Sequence, residues 1–285
     1  MPRIESSLLT SSFGQRLVDV FAQRGQLCVG LDPSLEQLQK WGLPINAIGA
    51  QEFCYQVMAG SEGLVGILKP QIAFFEQFGS DGFSSLEKVL IRAQESGFLV
   101  IADAKRGDIG STMGGYARAW LSSEAPFVAD ALTVSPYLGA RSMEETVSLA
   151  DKNLKGIFLL AATSNPEGKE LQASKGESGS SVASSIVSFA RKHNPRFLGS
   201  VGVVIGAQSD LHSFGIDSVE LSNTPILAPG FGAQGAKLSD VKDLFGDLAK
   251  SIIYNVSRSV AGDSPDGLED RVLSAKQELE IGLLR

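Results

Sequence analysis

The most chemically suggestive residues lie in the segment Ala102–Ser111, which reads ADAKRGDIGS. Asp103 and Lys105 stand two residues apart, directly after the apolar run Phe98–Ile101. Residues two apart in a β-strand project from the same face. A carboxylate and an ammonium group carried together into a buried sheet are each costly unless partners compensate their charge. The spacing therefore indicates a functional site.

A second lysine, Lys69, stands in the middle of the apolar run Gly66–Phe75. Taken alone, it would be interpreted as an ordinary solvated charge at a strand end. Four charged residues in these segments nevertheless add up to no net charge: Lys69, Asp103, Lys105 and Asp108. Alternating charges at the ends of neighbouring strands are more typical of an active site than of a surface. We therefore predict that these four side chains form one array.

Length and composition favour one large α/β domain over two small ones. The chain has 285 residues, of which 43% are hydrophobic, and its mean hydropathy is +0.08, so it can bury a large core. The formal net charge of −7 argues against a nucleic-acid surface, which needs clustered Lys and Arg. A small anionic substrate is compatible with this charge if the positive field is local.

The cysteines and the N-terminal segment exclude several classes of protein. Cys28 and Cys54 are the only cysteines, and nothing indicates a disulfide framework or a metal cluster. Cys28 lies within the apolar run Leu27–Leu31 and is predicted to be a buried free thiol. The N-terminal residues include Glu5 and Asp19 and no long apolar segment, which predicts neither a signal peptide nor a membrane span. We therefore expect a cytoplasmic protein without membrane partners.

Apolar runs of strand length recur eight times along the chain. They cover residues 27–32, 65–73, 98–104, 127–134, 157–163, 201–206, 225–228 and 252–257. Most of the segments between them have helical periodicity, as Ser85–Ala93 does. Such strands alternating with helices predict a parallel sheet covered on its outer face. Eight units in a chain of this length predict a (β/α)8 TIM barrel rather than an open doubly wound sheet.

Three further segments complete the predicted architecture. The amphipathic segment Phe13–Phe21 is predicted to be an N-terminal capping helix that closes the bottom of the barrel. No linker or internal repeat divides residues 1–285, so the whole chain is predicted to form one domain. Residues 172–185 are small and polar, which predicts a mobile loop after the fifth strand.

A phosphate site is predicted after the last two strands. Ala228–Gly235 follows the seventh strand and contains three glycines, which allow the backbone to approach a ligand and point N–H groups at it. Arg258 follows the eighth strand, and a guanidinium group can bind phosphate through two parallel hydrogen bonds. In TIM barrels the loops after strands seven and eight often hold phosphate, and function lies at the C-terminal ends of the strands.

The segment Asp103–Ile109 resembles the Asp-x-Lys-x-x-Asp signature of the orotidine 5′-phosphate decarboxylase family. The resemblance covers almost the whole chain, with further matching positions at Asp32, Lys69, Thr163–Pro166, Pro229–Gly235 and Ser257–Ser259. The length is similar to that of the longer bacterial members, and Ser257 stands where many members have glycine. Sister enzymes that act on phosphosugars share the signature, so the signature alone indicates the family and not the reaction. The combination of all these positions is much more specific for the decarboxylase.

The resemblance implies decarboxylation of orotidine 5′-monophosphate to UMP, the last step of de novo pyrimidine nucleotide synthesis, without a cofactor or metal. Loss of CO₂ from C6 leaves a carbanion that the protein must stabilise electrostatically and then protonate. In this assignment Lys105 is the proton donor and Asp103 lies beside the substrate carboxylate. Lys69 and Asp108 complete the fixed array of charges.

Substrate-binding residues and a partner follow from the same resemblance. Ser164 would contact the pyrimidine edge, and Asp32 and Lys69 would contact the ribose hydroxyls. The phosphate would be bound by Pro229, Gly230, Gln234, Ser257 and Arg258. Asp108 and Thr112 would reach the site of the neighbouring subunit, which implies a homodimer with shared active sites.

Two other functions stay open at this point. A 3-keto-gulonate 6-phosphate decarboxylase or a hexulose-phosphate synthase would share the signature, but would use Mg²⁺ and an extra acidic ligand. A non-catalytic barrel that binds a phosphorylated ligand is the second alternative, although such a protein has no need to bury Asp103 and Lys105. His193 and His212 lie in polar connecting segments, so a histidine-based mechanism has little support.

Overall fold

Eight parallel strands form a closed barrel, with each strand paired to the next in chain order and the last paired to the first. The computed structural model describes residues 11–195, 198–233 and 235–285. The strands are β1 (Leu27–Leu31), β2 (Ile67–Pro70), β3 (Leu99–Arg106), β4 (Ala131–Val134), β5 (Gly156–Ala162), β6 (Val201–Ile205), β7 (Ile226–Ala228) and β8 (Ile252–Val256). The predicted (β/α)8 TIM barrel is confirmed.

Each strand overlaps its predicted run. Most boundaries differ by one or more residues, and two of these differences have local reasons. β2 ends at Pro70, which has no N–H to donate to the sheet, and Gln71 forms only an isolated bridge with Asp103. β3 extends two residues beyond its predicted end, because Arg106 pairs with Val134 after a register shift. Both differences fall at the C-terminal rim of the barrel, next to the predicted charged array.

Helices cover most of the outside of the barrel. They are α1 (Phe13–Arg24), α2 (Leu35–Lys40), α3 (Ala47–Ser61), α4 (Ala73–Glu76), α5 (Gly79–Glu95), α6 (Gly110–Leu121), α7 (Glu144–Lys152), α8 (Pro166–Ala173), α9 (Val182–Lys192), α10 (Val241–Phe245), α11 (Arg258–Ala261) and α12 (Leu268–Leu284). The alternation is incomplete between β6 and β7, where residues 206–225 contain the 3₁₀ turns Leu211–Phe214 and Ser218–Leu221 and no α-helix.

The segment 172–185 is only partly a loop. Its first two residues end α8, and its last four form the first turn of α9. Between the helices, Lys175 and Ser181 form an antiparallel bridge, and the Gly176 N–H donates to the Ser180 carbonyl (3.0 Å). The Ser181 hydroxyl caps α9 by accepting the Ser184 N–H. The small polar residues therefore include helix-capping residues, which composition alone does not separate from a long loop.

Helix α1 covers the N-terminal end of the barrel. Phe13 and Leu17 are fully buried in the same apolar cluster as the residues that fill the barrel interior, among them Phe158. The Phe13 and Phe158 rings meet edge to face with centroids 5.9 Å apart, a favourable aromatic geometry. Arg16 forms an ion pair with Asp130, just before β4. These contacts leave the opposite, C-terminal end of the barrel as the open one.

Both cysteines are buried free thiols, as predicted for Cys28. The Cys28 thiol lies inside the barrel, 3.5 Å from the Asn255 side-chain oxygen. Burial is the main cause that raises its pKa to about 12, so the thiol stays protonated. Among the described residues, no helix is both long enough and apolar enough to cross a membrane.

Candidate active site

The Asp103 carboxylate is the centre of a buried polar cluster at the C-terminal ends of β2, β3 and β4. One oxygen, Oδ1, accepts from Lys105 Nζ at 2.6 Å and from the Thr133 hydroxyl at 3.0 Å. The other, Oδ2, accepts from Lys69 Nζ at 3.1 Å and from Gln71 Nε2 at 2.9 Å. A carboxylate offers about four lone-pair positions, and all of them have a donor. This group is therefore held as an anion in one orientation.

Opposite charges in the cluster compensate for the cost of burying Lys69 and Asp103. Burial alone would lower the pKa of Lys69, but the negative charges of Asp103 and Asp32 and the hydrogen bond to Asp103 together outweigh it, so the pKa of Lys69 lies above its ordinary value. Burial would likewise raise the pKa of Asp103, yet the charges of Lys69 and Lys105 hold it well below its ordinary value. Lys69 and Asp103 are thus both ionised near neutral pH, and this pair of charges exists before any ligand binds.

The two lysines differ in access to solvent. The Lys69 side chain is 5% exposed, whereas the Lys105 side chain is 44% exposed. Lys69 therefore lies behind the carboxylate, and Lys105 presents its ammonium group to the open end of the barrel. Of the two, Lys105 is the more accessible to an incoming ligand.

A second polar contact joins the first and last strands. Ser257 directly follows β8, and Asp32 directly follows β1. The Ser257 hydroxyl donates a hydrogen bond to Asp32 Oδ2 at 2.6 Å. A Cβ atom on Gly30 would lie 2.8 Å from Ser257 Cβ, so the lack of a side chain at Gly30 makes this approach feasible. The second oxygen, Asp32 Oδ1, is buried and has no hydrogen-bond partner among the described residues, which leaves an acceptor for a ligand hydroxyl.

Residue 257 is a serine with an unusual backbone geometry. Its φ and ψ are −141° and −86°, which is not the left-handed region but lies outside the main regions that side-chain-bearing residues occupy. The departure from glycine therefore coincides with an uncommon backbone conformation. The Ser257 hydroxyl gains a charged acceptor in Asp32.

The glycine-rich loop after β7 is a tight turn packed against the start of α11. Gly230, Gly232 and Gly235 have φ of +113°, +74° and +101°, which other residues rarely adopt. A Cβ atom on Gly232 would lie 2.5 Å from Ser259 Oγ. The loop and the residue after Arg258 are thus in close contact, as the predicted phosphate site requires.

Two of the loop N–H groups are used within the loop itself. Gly232 donates to the Ala236 carbonyl and Gly235 donates to the Gly232 carbonyl, both at 2.9 Å. The prediction that the N–H groups of this loop face a ligand therefore does not hold for Gly232 and Gly235. Pro229 and Gly230 are half-buried at the end of β7, and Gln234 lies outside the described residues.

Arg258 begins α11 and is exposed at the same rim. Its side chain forms no hydrogen bond or ion pair with the described parts of the chain. An exposed guanidinium beside a glycine loop is available for an anion. Its position is consistent with the predicted phosphate site.

Three predicted site residues do not contact the array within one chain. Asp108 accepts a hydrogen bond from the Ile109 N–H (2.8 Å) and forms no ion pair with the residues that the structure describes. Thr112 is exposed in the first turn of α6, and Ser164 is exposed after β5. Ser164 nevertheless stays near the rim of β6, because a Cβ atom on Gly206 would lie 3.0 Å from Ser164 Cβ.

Two residues of the cluster, Gln71 and Thr133, were not predicted from the sequence. Gln71 follows Lys69 by two positions, the same spacing that identified Asp103 and Lys105, but it lies just beyond the strand. Thr133 is the single hydroxyl residue in the apolar strand β4 and is 1% exposed. A lone polar residue in an otherwise apolar buried strand is the signal that could have identified it.

Fold and site together define a (β/α)8 barrel protein with a charged array where barrel enzymes perform their chemistry. The model of the orotidine 5′-phosphate decarboxylase / HUMPS family matches residues 25–269. The chain therefore belongs to this family, and the resemblance in its signature segment is confirmed.

Individual relatives agree over nearly full length. The orotidine 5′-phosphate decarboxylase of Corynebacterium glutamicum is 44% identical over 283 residues, covering 95% of this chain and 98% of the relative. That of Streptomyces coelicolor is 43% identical and covers 94% and 96%. Among solved structures, a Streptomyces avermitilis protein provisionally assigned to the same activity is 40% identical, with a TM-score of 0.92 and full coverage of both chains. Leishmania donovani OMP decarboxylase is 29% identical, with a TM-score of 0.71.

Proposed function

We propose that this protein is a carboxy-lyase that converts orotidine 5′-monophosphate into UMP and CO₂, the last step of de novo pyrimidine nucleotide synthesis. The observation that carries the proposal is the Asp103 carboxylate held between Lys69 and Lys105 at 3.1 and 2.6 Å. A preorganised array of this kind can stabilise charge that develops in a transition state. Near-full-length relatives that carry the name of this enzyme support the assignment.

In the proposed reaction the bond between C6 and the carboxylate carbon breaks, and the electron pair stays on C6 as CO₂ departs. The ammonium group of Lys105 stabilises this carbanion and then donates a proton from Nζ to C6. Its partly exposed side chain supports this role, because Lys69 is almost fully covered. Proton uptake from solvent restores the ammonium group for the next turnover.

We assign Asp103 two roles. It fixes both ammonium groups through direct hydrogen bonds, and its charge repels the carboxylate of the bound substrate. That repulsion vanishes when neutral CO₂ leaves, so it raises the free energy of the bound substrate more than that of the transition state. The four donors on Asp103 keep it charged, which both roles require.

Proton donation alone is too small to account for the chemistry. A positioned general acid contributes about 10²–10⁴-fold, whereas very slow reference reactions need on the order of 20 kcal/mol of stabilisation. Preorganised charge and the binding of the remote phosphate must supply the rest. We therefore assign phosphate binding to Pro229, Gly230, Gln234, Ser257 and Arg258 as part of catalysis.

The remaining substrate contacts follow from the polar groups at the rim. The unpartnered Asp32 Oδ1 supports a contact of Asp32 with a ribose hydroxyl, and Lys69 would contribute from the same side. Ser164 would contact the pyrimidine edge from the end of β5. Each is a proposal that substitution and a ligand-bound structure can test.

We further propose a cytoplasmic homodimer in which Asp108 and Thr112 complete the site of the neighbouring subunit. Asp108 has no ion-pair partner in the described parts of its own chain, although it follows the array by three residues. Ile109, directly after it, is exposed, and so are Tyr137 and Leu138 in the segment after Ser135, which Gly107 approaches closely. Exposed apolar side chains near one another support a protein interface on this side of the site.

The proposal is tested by a spectrophotometric assay with orotidine 5′-monophosphate, with and without EDTA. We expect turnover without added metal or organic cofactor and no loss of activity with the chelator. The phosphosugar enzymes of the same family would lose activity with EDTA. Inactivity of folded protein on this substrate, or complete sensitivity to EDTA, would reject the assignment.

A further inference from the structure

We propose that Thr133 is a positioning residue that couples the Asp103 carboxylate to the backbone of Lys105, and so sets the distance between the two charged groups. This inference rests on the proposed decarboxylase activity. Thr133 is 1% exposed and lies on β4, the strand next to the one that carries Asp103 and Lys105. It does not present its hydroxyl to the solvent side of the site, so its effect acts through these two residues.

The Thr133 hydroxyl joins Lys105 and Asp103 through two hydrogen bonds of opposite direction. The Lys105 N–H donates to Thr133 Oγ1 at 2.9 Å. The single hydroxyl proton is then donated to Asp103 Oδ1 at 3.0 Å. One hydroxyl therefore accepts from the main chain of the lysine and donates to the carboxylate that binds the ammonium group of the same lysine. Lys105, Thr133 and Asp103 thus form a closed ring of three hydrogen bonds. Lys105 and Asp103 cannot separate without breaking at least one of these bonds.

Strand β3 has a bulge opposite Thr133. Ala102 pairs with Leu132, and the next pair joins Arg106 to Val134. Residues 103–105 of β3 thus lie opposite the single residue Thr133 of β4. A bulge removes regular backbone partners from the extra residues. The Thr133 hydroxyl supplies the Lys105 N–H with the acceptor that the sheet no longer provides.

The backbone of Lys105 is strained. Lys105 has φ of +49°, in the left-handed region that side-chain-bearing residues rarely occupy. Such a conformation persists only where the surroundings hold it, and it is common at functional sites. The Thr133 hydroxyl is a direct restraint on this peptide. Without it, we expect Lys105 to relax and its ammonium group to leave its present position 2.6 Å from Asp103.

The test compares Thr133→Val, which keeps the shape but removes the hydroxyl, with Thr133→Ser, which keeps the hydroxyl. Loss of a buried hydrogen bond to a charged group predicts that kcat for Thr133→Val falls by about tenfold to about a hundredfold. KM and the affinity for UMP should change less than about twofold, since Thr133 contacts none of the residues proposed to bind the phosphate, the ribose or the pyrimidine edge. Thr133→Ser should retain most of kcat.

Thr224→Val is the matched control. Thr224 is fully buried before β7, and its hydroxyl accepts a hydrogen bond from Asn194 at 3.3 Å, far along the chain from the array. Thr224→Val loses a buried hydroxyl just as Thr133→Val does, but away from the array. The kcat of the Thr224→Val enzyme should therefore equal that of the wild type. A Thr133→Val enzyme with wild-type kcat, or a Thr224→Val enzyme that loses as much, would overturn the inference. If Thr133→Val does not fold, Thr133→Ala is measured against the same criteria.

A crystal structure of Thr133→Val separates this inference from the proposed activity. We expect Lys105 to leave the left-handed region and the distance between Lys105 Nζ and Asp103 Oδ1 to lengthen. An unchanged Lys105 backbone and ion pair would reject the positioning role, whether or not the wild type decarboxylates orotidine 5′-monophosphate. A wild-type enzyme that is inactive on this substrate would reject only the proposed activity.

Discussion

Lys69 and Asp103 form a buried ion pair between neighbouring strands of the barrel, with Nζ 3.1 Å from Oδ2 and with both side chains largely withdrawn from water. Buried charges are expensive, and a buried pair is often no more stable than apolar residues of similar volume. Here the carboxylate also accepts three further hydrogen bonds, from Gln71, Lys105 and Thr133. The arrangement is therefore better explained by chemistry at the site than by stability.

The buried pair makes stability depend on pH in a defined direction. The pKa of folded Asp103 is held below its ordinary value of 3.8. A group with a depressed pKa stabilises the fold above its unfolded pKa, and this stabilisation is lost as the pH falls toward the folded pKa. Asp103→Asn should therefore cost about 3–5 kcal/mol near neutral pH, because it leaves Lys69 buried without its counter-charge.

The difference between the free energies of unfolding of wild type and Asp103→Asn should be constant above about pH 5, and it should shrink progressively as the pH is lowered from about 5 to about 2. Denaturant titrations at several pH values measure this difference. Asp151→Asn, at an exposed position, is the control and should follow the wild type throughout. A gap between wild type and Asp103→Asn that stays constant over this range would show that the carboxylate pKa is not depressed.

Replacing Lys105 should abolish turnover and leave the fold intact. Lys105→Ala removes the proposed proton donor, but Asp103 keeps its contacts with Lys69, Gln71 and Thr133. Steady-state kinetics and thermal unfolding measure the two effects separately. Lys169→Ala, at an exposed position on α8, should behave as the wild type. If Lys105→Ala retains a tenth of wild-type kcat, a loss of only about 1.4 kcal/mol, then Lys105 is not the proton donor.

The sequence alone predicted those parts of the site that depend on local spacing. The alternation of side chains along a strand placed Asp103 and Lys105 together, and the recurrence of apolar runs predicted the barrel. The contacts of Gln71 and Thr133 with Asp103 depend instead on the register between strands. Such a register, including the bulge opposite Thr133, is set by the closure of the whole barrel and has no local signature.

The closure of the barrel also explains the contact between Asp32 and Ser257. These residues are 225 positions apart and meet because β8 pairs with β1. Ser257 was predicted from the sequence as a phosphate-binding residue and as a departure from glycine, but its hydrogen bond to Asp32 could not be inferred from either segment. The assignment of the whole chain to one domain stays a prediction, because residues 1–10 lie outside the described part.

Arg258→Ala should chiefly weaken the use of the phosphorylated substrate. The side chain is exposed at the start of α11, so its removal should not affect stability. Loss of charge-assisted hydrogen bonds to phosphate predicts a fall in kcat/KM of about tenfold or more. Added phosphite or guanidinium should restore part of the activity, whereas Arg191→Ala, another exposed arginine, should need no rescue. An unchanged kcat/KM would place the phosphate elsewhere.

The shared-site dimer is tested by mixing two inactive variants. Asp108 lies three residues after Lys105, beyond the regular part of β3, where it can cross a two-fold interface. If each site takes Lys105 from one chain and Asp108 from the other, Lys105→Ala and Asp108→Ala homodimers should both be nearly inactive. A mixed dimer would then contain one site with both substitutions and one site with neither.

Random re-association of equal amounts of the two variants should restore about a quarter of wild-type activity, because half of the dimers are mixed and half of their sites are native. Subunit exchange is followed by native mass spectrometry in the same samples. The matched control mixes Lys105→Ala with Asp103→Asn, both in the same array of one chain, and should restore no activity. If exchange is complete and the Lys105→Ala and Asp108→Ala mixture also stays inactive, Asp108 serves its own chain.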